Sequence, residues 1–223
     1  IVNKGDAITG IDPYQHFSDA LAHALSRHPD AARIVLLGDL THHGRTVQYE
    51  RLAELLKDVP LPVTMMMGNH DNRDVFLRQF PKVEVTSQGH VQQMVDLGDA
   101  CLITLDTLDP KSQPHHSGTL CADRLAWLDR ALAWAGGRQV LLALNHPPFE
   151  TGFIGMDRIA LNDPDQLRDR LSAYDGEVHL LCGHVHRTIS GRAHERGVVI
   201  VAHLASSISR SKSSMRSRFS SRS

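Results

Sequence analysis

Apolar residues along this chain keep changing rhythm, and the changes divide it into alternating helices and strands. Behind Asp12-Pro13, Phe17, Leu21 and Leu25 recur at every fourth position, the spacing of one helical face. Asp12 suits the N-cap and Pro13 the first turn, and this helix is predicted to end near His28-Pro29. The stretch Arg33-Ile34-Val35-Leu36-Leu37 is almost wholly apolar and stops at Gly38, which predicts a short buried strand. The alternation continues with a helix over 47–57 that turns Leu52, Leu55 and Leu56 inward, a strand over 63–67 and a helix over 73–80. Two paired strands are predicted at 91–97 and 101–105, then a helix over 122–134 and a strand over 139–144. A helix over 164–174, a strand over 178–182 and short strands near 188–192 and 198–201 complete the pattern. Strands separated by helices predict an α/β protein with largely parallel or mixed sheets.

Composition bounds this picture. With 223 residues and 41% apolar content, the chain can bury one sizeable core. The 24 Lys and Arg residues nearly balance the 25 Asp and Glu, so overall charge gives no reason to expect a polyanionic partner, and no specific nucleic-acid partner is expected. After about Ala205 the composition shifts abruptly to Ser, Arg and Lys. Residues 1–205 are therefore read as one folded domain and 206–223 as a disordered tail or the product of a reading-frame slip, because such a segment cannot bury enough surface to fold alone. Its cations Arg210, Lys212, Arg216, Arg218 and Arg222 have no acidic neighbour, the chemistry that contacts phosphates or anionic lipid. No apolar run approaches the roughly 20 residues that cross a bilayer, and the start, Ile1-Val2-Asn3-Lys4-Gly5, lacks signal-peptide form. Cys101, Cys121 and Cys182 are odd in number and show no Cys-x-x-Cys spacing, which argues against a disulfide framework and predicts a reducing, cytoplasmic setting. Histidine is the unusual count, at 15, and imidazole is both a metal ligand and an acid-base group near neutral pH.

Polar motifs sit where four predicted strands end. They are Gly38-Asp39, Gly68-Asn69-His70-Asp71, Asn145-His146-Pro147-Pro148 and Gly183-His184-Val185-His186. In open α/β sheets the carboxyl ends of strands gather residues that are distant in sequence into one site. One carboxylate, one amide oxygen and several imidazoles form a mixed oxygen and nitrogen set, suited to Zn, Mn or Fe rather than to Ca. Taken singly, each motif also has a plain structural reading. Asp39 suits a turn, Asn69 a left-handed turn position, Asp71 the cap of the following helix, and His146 a packed loop before two prolines.

Together and in this order, these motifs resemble the signature of the calcineurin-like metallophosphoesterases, over about residues 1–202. The resemblance implies a metallophosphoesterase-type α/β sandwich of mixed sheets flanked by helices. It also implies two divalent or trivalent metal ions, Fe, Mn or Zn, bridged by Asp39. Asn69, His146 and His184 would complete one metal site, and His186 would belong to the other. His70 would stand beside the substrate with Asn69, donating to a phosphate oxygen or protonating the leaving group, so that His70 and Asp39 carry the catalysis. One departure is plain: the family opens with a strand ending in Asp-x-His, two further metal ligands, and no such pair precedes Gly38-Asp39 here. The expectation is a sandwich lacking the first strand, with unpaired sheet edges and with the second metal site reduced to Asp39 and His186.

The substrate class follows from the same comparison. Protein serine/threonine phosphatases of the superfamily carry Gly-Asp-x-x-Asp-Arg-Gly and Gly-Asn-His-Glu, whereas here Thr41-His42-His43-Gly44 follows Gly38-Asp39-Leu40 and Asp71 replaces the Glu. Gly10-Ile11-Asp12-Pro13-Tyr14 and Asn145-His146-Pro147-Pro148-Phe149 instead look like the class III cyclic-nucleotide phosphodiesterases and the related glycerophosphodiesterases. The expected partner is thus a small phosphodiester, with 3',5'-cyclic nucleotides ahead of glycerophosphodiesters or a broad range of phosphoesters. A homodimer is expected if the branch's usual C-terminal hairpin is present. The contrasting reading is an inactive metal-binding remnant, made so by loss of the Asp-x-His strand and of the branch's usual C-terminal segment. His42, His43, His115 and His116 are read as solvated loop residues rather than as the lining of the mouth.

Overall fold

Period-two alternation along the strands decides which surfaces meet. A computed structural model describes residues 1–194 and 197–201, with side chains described through Ile189; the predicted Ser/Arg tail lies outside the described residues. The chain runs α1 (Pro13–Arg27), β1 (Ile34–Leu36), α2 (Thr46–Leu56), β2 (Val63–Met65), α3 (Arg73–Gln79), β3 (Gln93–Asp96) and β4 (Ala100–Leu105). It continues through α4 (Ala122–Ala135), β5 (Gln139–Leu144), α5 (Ile154–Asp157), α6 (Asp165–Ala173), β6 (Val178–Cys182), β7 (Ile189–His194) and β8 (Gly197–Val201). Strands β1 and β2 pair in parallel, and the other six form a mixed sheet in the order β3-β4-β5-β6-β8-β7. Within it, β4, β5, β6 and β8 run parallel, and β3 and β7 join antiparallel at the edges.

Odd and even residues of each strand enter different layers, as the pleat requires. On the large sheet, Ile103, Leu105, Leu142, Leu144, Leu180 and Cys182 pack toward Leu128, Ala131 and Leu132 of α4 and Leu167 of α6. The intervening Leu102, Leu141, Ala143 and Leu181 face the small sheet, where they meet Val35, Leu37 and Met66. On its far side the small sheet turns Leu36, Met65 and Met67 toward Tyr49 and Leu52 of α2 and Phe76 of α3. The order helix, sheet, sheet, helix is an α/β sandwich, the architecture expected from sequence.

Differences from the expected elements have local causes. Asp12 caps α1 by accepting from the Tyr14 amide at 2.9 Å. In α2 the inward face holds Leu52, but also fully buried Gln48 and Tyr49, while Leu55 and Leu56 are only half-buried. Strand β1 pairs with β2 alone among the described strands, and all three of its residues are half-buried. Helix α5, four residues long, is too short for a periodic signal and was not anticipated.

Candidate active site

The strand-end motifs meet because hydrogen bonds tie those ends across the two sheets. Asn145, just past β5, donates through Nδ2 to the carbonyl of Leu37 past β1, at 2.8 Å. The amide of Gly183, past β6, donates to the Asn145 carbonyl at 3.1 Å. Between β1 and β2, Asp71 is the fastening point: it accepts from the amides of Leu40, Thr41 and Gly68 at 3.0–3.1 Å and from the hydroxyls of Thr41 and Tyr49. It is therefore no helix cap, and the cap of α3 is Asn72, whose side chain accepts from the Val75 amide at 3.1 Å. Gly68 has no room for a side chain, since a Cβ there would collide with the backbone and carboxylate of Asp39.

Backbone strain gathers on the same residues. Asp39, His184 and His186 hold φ at 50°, 68° and 56°, the left-handed region that costs a non-glycine residue of order 1 kcal/mol or more. Asn69, for which a left-handed turn is the plain reading of the sequence, stays out of that region. The conformation points Asp39 toward the second loop, where its Oδ1 accepts from the His70 amide at 3.1 Å.

Asn69, His146 and His184 form one interlocked group. The Asn69 Oδ1 accepts from His184 Nδ1 at 2.9 Å, and Asn69 Nδ2 donates to His116 Nδ1 at 3.1 Å. The rings of His146 and His184 lie 4.7 Å apart between centroids. His146 is wholly buried, with Nε2 at 3.0 Å from the carbonyl of His116 and Nδ1 at 2.7 Å from the hydroxyl of Thr107. A carbonyl only accepts, so Nε2 carries the proton and the Thr107 hydroxyl donates to Nδ1. Burial drives the pKa of both rings down to about 4, so both imidazoles are neutral near pH 7. Asp71 moves the other way: burial and then the neighbouring Asp39 carboxylate push it up to about 6, against the donors that favour its charged form.

His70 stands between two other imidazoles. Its Nδ1 is 3.0 Å from the carbonyl of His42, and its ring stacks on His42 at 5.2 Å and on His116 at 5.4 Å. His42 and His116 are thus half-buried against the site rather than solvated, while His43 and His115 are exposed. His186 is exposed two residues beyond His184 and close enough to lower the pKa of that ring. Two surface clefts, of about 390 and 730 Å³, share none of these residues.

A fifth strand end belongs to the same place, and sequence reading passed over it. Asp106-Thr107 follows β4, and Thr107 is the group that holds His146. The signal was there, a polar pair closing an apolar strand, but Asp-Thr does not stand out as histidine does. Gly118 was likewise missed; a Cβ on it would strike the His146 ring.

Donor chemistry decides whether a metal ion suits these residues. His184 Nε2 is buried and has no hydrogen-bond partner, and because Nδ1 donates to Asn69, that nitrogen presents a lone pair. A lone pair of this kind, beside a second neutral imidazole and an amide oxygen, fits one borderline cation. Among the described residues, no three His, Cys, Asp or Glu side chains are gathered closely enough to hold an ion by themselves.

Comparison with known proteins agrees with this architecture. The calcineurin-like phosphoesterase family model matches residues 10–188. A probable cyclic nucleotide phosphodiesterase of Rhodopseudomonas palustris is 41% identical over 191 residues, covering 85% of this chain and 69% of that protein. A probable glycerophosphodiester phosphodiesterase, GpdQ, of Arcobacter nitrofigilis is 29% identical, covering 84% and 68%. Among solved structures, a dimetal phosphatase of Danio rerio superposes with a TM-score of 0.67 at 13% identity, over 84% of this chain and 76% of that one, a likeness of fold. The chain belongs to the calcineurin-like phosphoesterase family and is a hydrolase of that class.

Proposed function

We propose that the chain hydrolyses phosphodiesters in a metal-dependent reaction, with 3',5'-cyclic nucleotides as the substrate class. The observation that carries this reading is the unpartnered, buried Nε2 of His184, set against His146 and fastened to Asn69. Asn69, His146 and His184 would hold one ion with Asp39 as the shared carboxylate, and His186 would serve a second; Fe, Mn and Zn all suit this donor set. When bound, two such cations offset phosphoryl charge and lower the pKa of a water between them. The remaining work belongs to the chain. Because the His42 carbonyl can only accept, His70 keeps a proton on Nδ1, which leaves Nε2 as the nitrogen that meets the substrate; in the imidazolium form Nε2 carries the second proton and gives it to the leaving oxygen. Stacking between His42 and His116 fixes the plane in which Nε2 points.

The relative of 41% identity supports the cyclic-nucleotide class, and the similarity to GpdQ supports glycerophosphodiesters as the second reading. Among the described residues no helix is long and apolar enough to cross a membrane. All three cysteines are free, which favours a cytoplasmic setting.

Metal content by elemental analysis, measured with Mn-dependent hydrolysis of bis(p-nitrophenyl) phosphate, tests the proposal. It is run on this chain and on a form extended by a strand ending in Asp-x-His. Tight binding of one ion by the chain, with a second ion and turnover in the extended form, is expected. Absence of metal and turnover in both forms would reduce the motifs to turns. Cyclic AMP and glycerophosphocholine as competing substrates then separate the two diester classes.

A further inference from the structure

A metal-ligating imidazole has to meet two demands at once: one nitrogen must be free of its proton, and the ring must not rotate. His146 does not meet the first as it stands, since Nε2 donates to the His116 carbonyl. For Nε2 to serve as a ligand, the proton has to move to Nδ1. Whatever faces Nδ1 must then accept a hydrogen bond where it had donated one. A carboxylate or carbonyl would suit only the second state, and a backbone amide only the first; a hydroxyl suits both, because it is donor and acceptor together.

We propose that Thr107 is the positioning residue for His146, its hydroxyl keeping the ring anchored through Nδ1 in either tautomer. This rests on the reading of His146 as a metal ligand. Thr107 and His146 are both wholly buried, so no water competes for the 2.7 Å contact. The hydroxyl has a fixed place because the turn that carries it is clamped from both sides. Asp106 accepts from the amides of Val91 and Leu108 at 3.0 Å and from Arg73 through both oxygens, at 2.7 and 2.9 Å. Arg124 donates to the carbonyls of Asp106 and Leu108 at 3.0 and 3.1 Å, and the Thr107 carbonyl accepts from the Thr119 amide at 3.0 Å. A paired carboxylate, the buried guanidinium of Arg124 and the half-buried one of Arg73 hold down three residues of backbone, and the middle one presents its side chain to His146.

Substitutions of Thr107 that keep or remove the hydroxyl at similar volume test this. Mn affinity of the metal-free chain is measured by calorimetry for wild type, Thr107→Val, Thr107→Ser and His146→Ala, with unfolding midpoints in urea and ¹⁵N signals of the histidine rings recorded on the same proteins. Thr107→Val is expected to weaken Mn binding by about 10- to 100-fold, the range seen when an outer partner of a ligand is removed. It should also alter the Nδ1 signal of one imidazole, while Thr107→Ser stays near wild type in both. Unchanged affinity and ring signals in Thr107→Val would overturn the proposal, as would equal losses in Val and Ser, since the effect would then be one of shape. If His146→Ala binds Mn as wild type does, the ligand assignment fails and this inference with it. If His146→Ala loses binding while Thr107→Val does not, only the positioning role fails.

Discussion

The two halves of the sandwich hold their shares of the site by opposite means. The strands that deliver Thr107, His146 and His184 lie in the middle of the large sheet, paired on both sides, with Leu142, Leu144, Ile103 and Leu105 wholly buried beneath α4 and α6. The strands that deliver Asp39 and Asn69 form a two-stranded sheet whose first member is half-buried along its length. There, apolar packing cannot fix the loops to within the fraction of an ångström that a site needs, and Asp71 does so instead by gathering three amides and two hydroxyls. One half is rigid because its strands are buried; the other is rigid because a buried carboxylate is saturated with donors. The large sheet adds polar ties at Asp106 and Asn145 to a buried core, whereas the thin sheet depends on its ties.

The largest effect should come from cutting the polar fastening. Asp71→Ala strands the amides of Leu40, Thr41 and Gly68, each a buried donor worth roughly 1–3 kcal/mol when unpaired, so a loss of about 4 kcal/mol or more is expected in urea unfolding. Leu142→Ala, the matching cut in the packed half, is expected to cost about 3 kcal/mol. A smaller loss for Asp71→Ala than for Leu142→Ala would mean that the small sheet is held by its packing after all.

Acid should separate the halves next, because burial acts on different groups in each. In the packed half His146 and His184 have pKa values lowered from 6.5 to about 4. Between those values the unfolded chain binds more protons than the folded one, so their effect is absent above about pH 6.5 and destabilises increasingly as pH falls toward 4. In the fastened half Asp71 is raised from 3.8 to about 6, so the folded state binds the extra proton and gains as pH falls through that window. Two imidazoles outweigh one carboxylate, and the urea midpoint of the metal-free chain should drop from pH 7 to pH 5. Asp71→Asn, which removes the opposing group, should steepen the drop. A midpoint that stays level or rises would show that the imidazoles are not desolvated as described.

How much of this was legible in sequence follows the same division. Strands β5 and β6 appear at the predicted bounds, 139–144 and 178–182, since each is mostly apolar, broken only by Gln139 at the start of β5 and His179 within β6, the signature of a strand buried on both faces. In the thin sheet the predicted strands were too long: Leu37, Met66 and Met67 are apolar and buried or half-buried, but there the chain already leaves the ladder for the loops. Histidines at strand ends were conspicuous, and the structure gathers several of them. Asp71 was visible only as a cap, because its partners are backbone amides some thirty residues away, and backbone amides leave no mark in a sequence. Arg124 and Tyr49 were invisible for a related reason. A buried polar side chain on a helix looks like a surface residue until its acceptor is located.

The finest comparison deletes one small group from each half. Tyr49→Phe removes a hydroxyl that donates to Asp71 at 2.9 Å and accepts from the Asn72 amide at 2.9 Å. Ile103→Val removes one buried methylene beneath α4. Both are expected to cost about 1 kcal/mol in urea unfolding, so stability alone will not tell them apart. Their reach should differ. Loss of a methylene is absorbed by neighbouring side chains, and Mn affinity should be unchanged in Ile103→Val. Loss of the Tyr49 hydroxyl leaves Oδ1 of Asp71 with only the Thr41 amide and hydroxyl and loosens the carboxylate whose Oδ2 sets the Leu40 and Gly68 amides, and through them the loop carrying Asp39, so Mn affinity should fall by a few fold in Tyr49→Phe. Equal affinities in the two variants would show that Asp71 keeps its loops in place without the tyrosine, and that the fastening is carried by the amides alone.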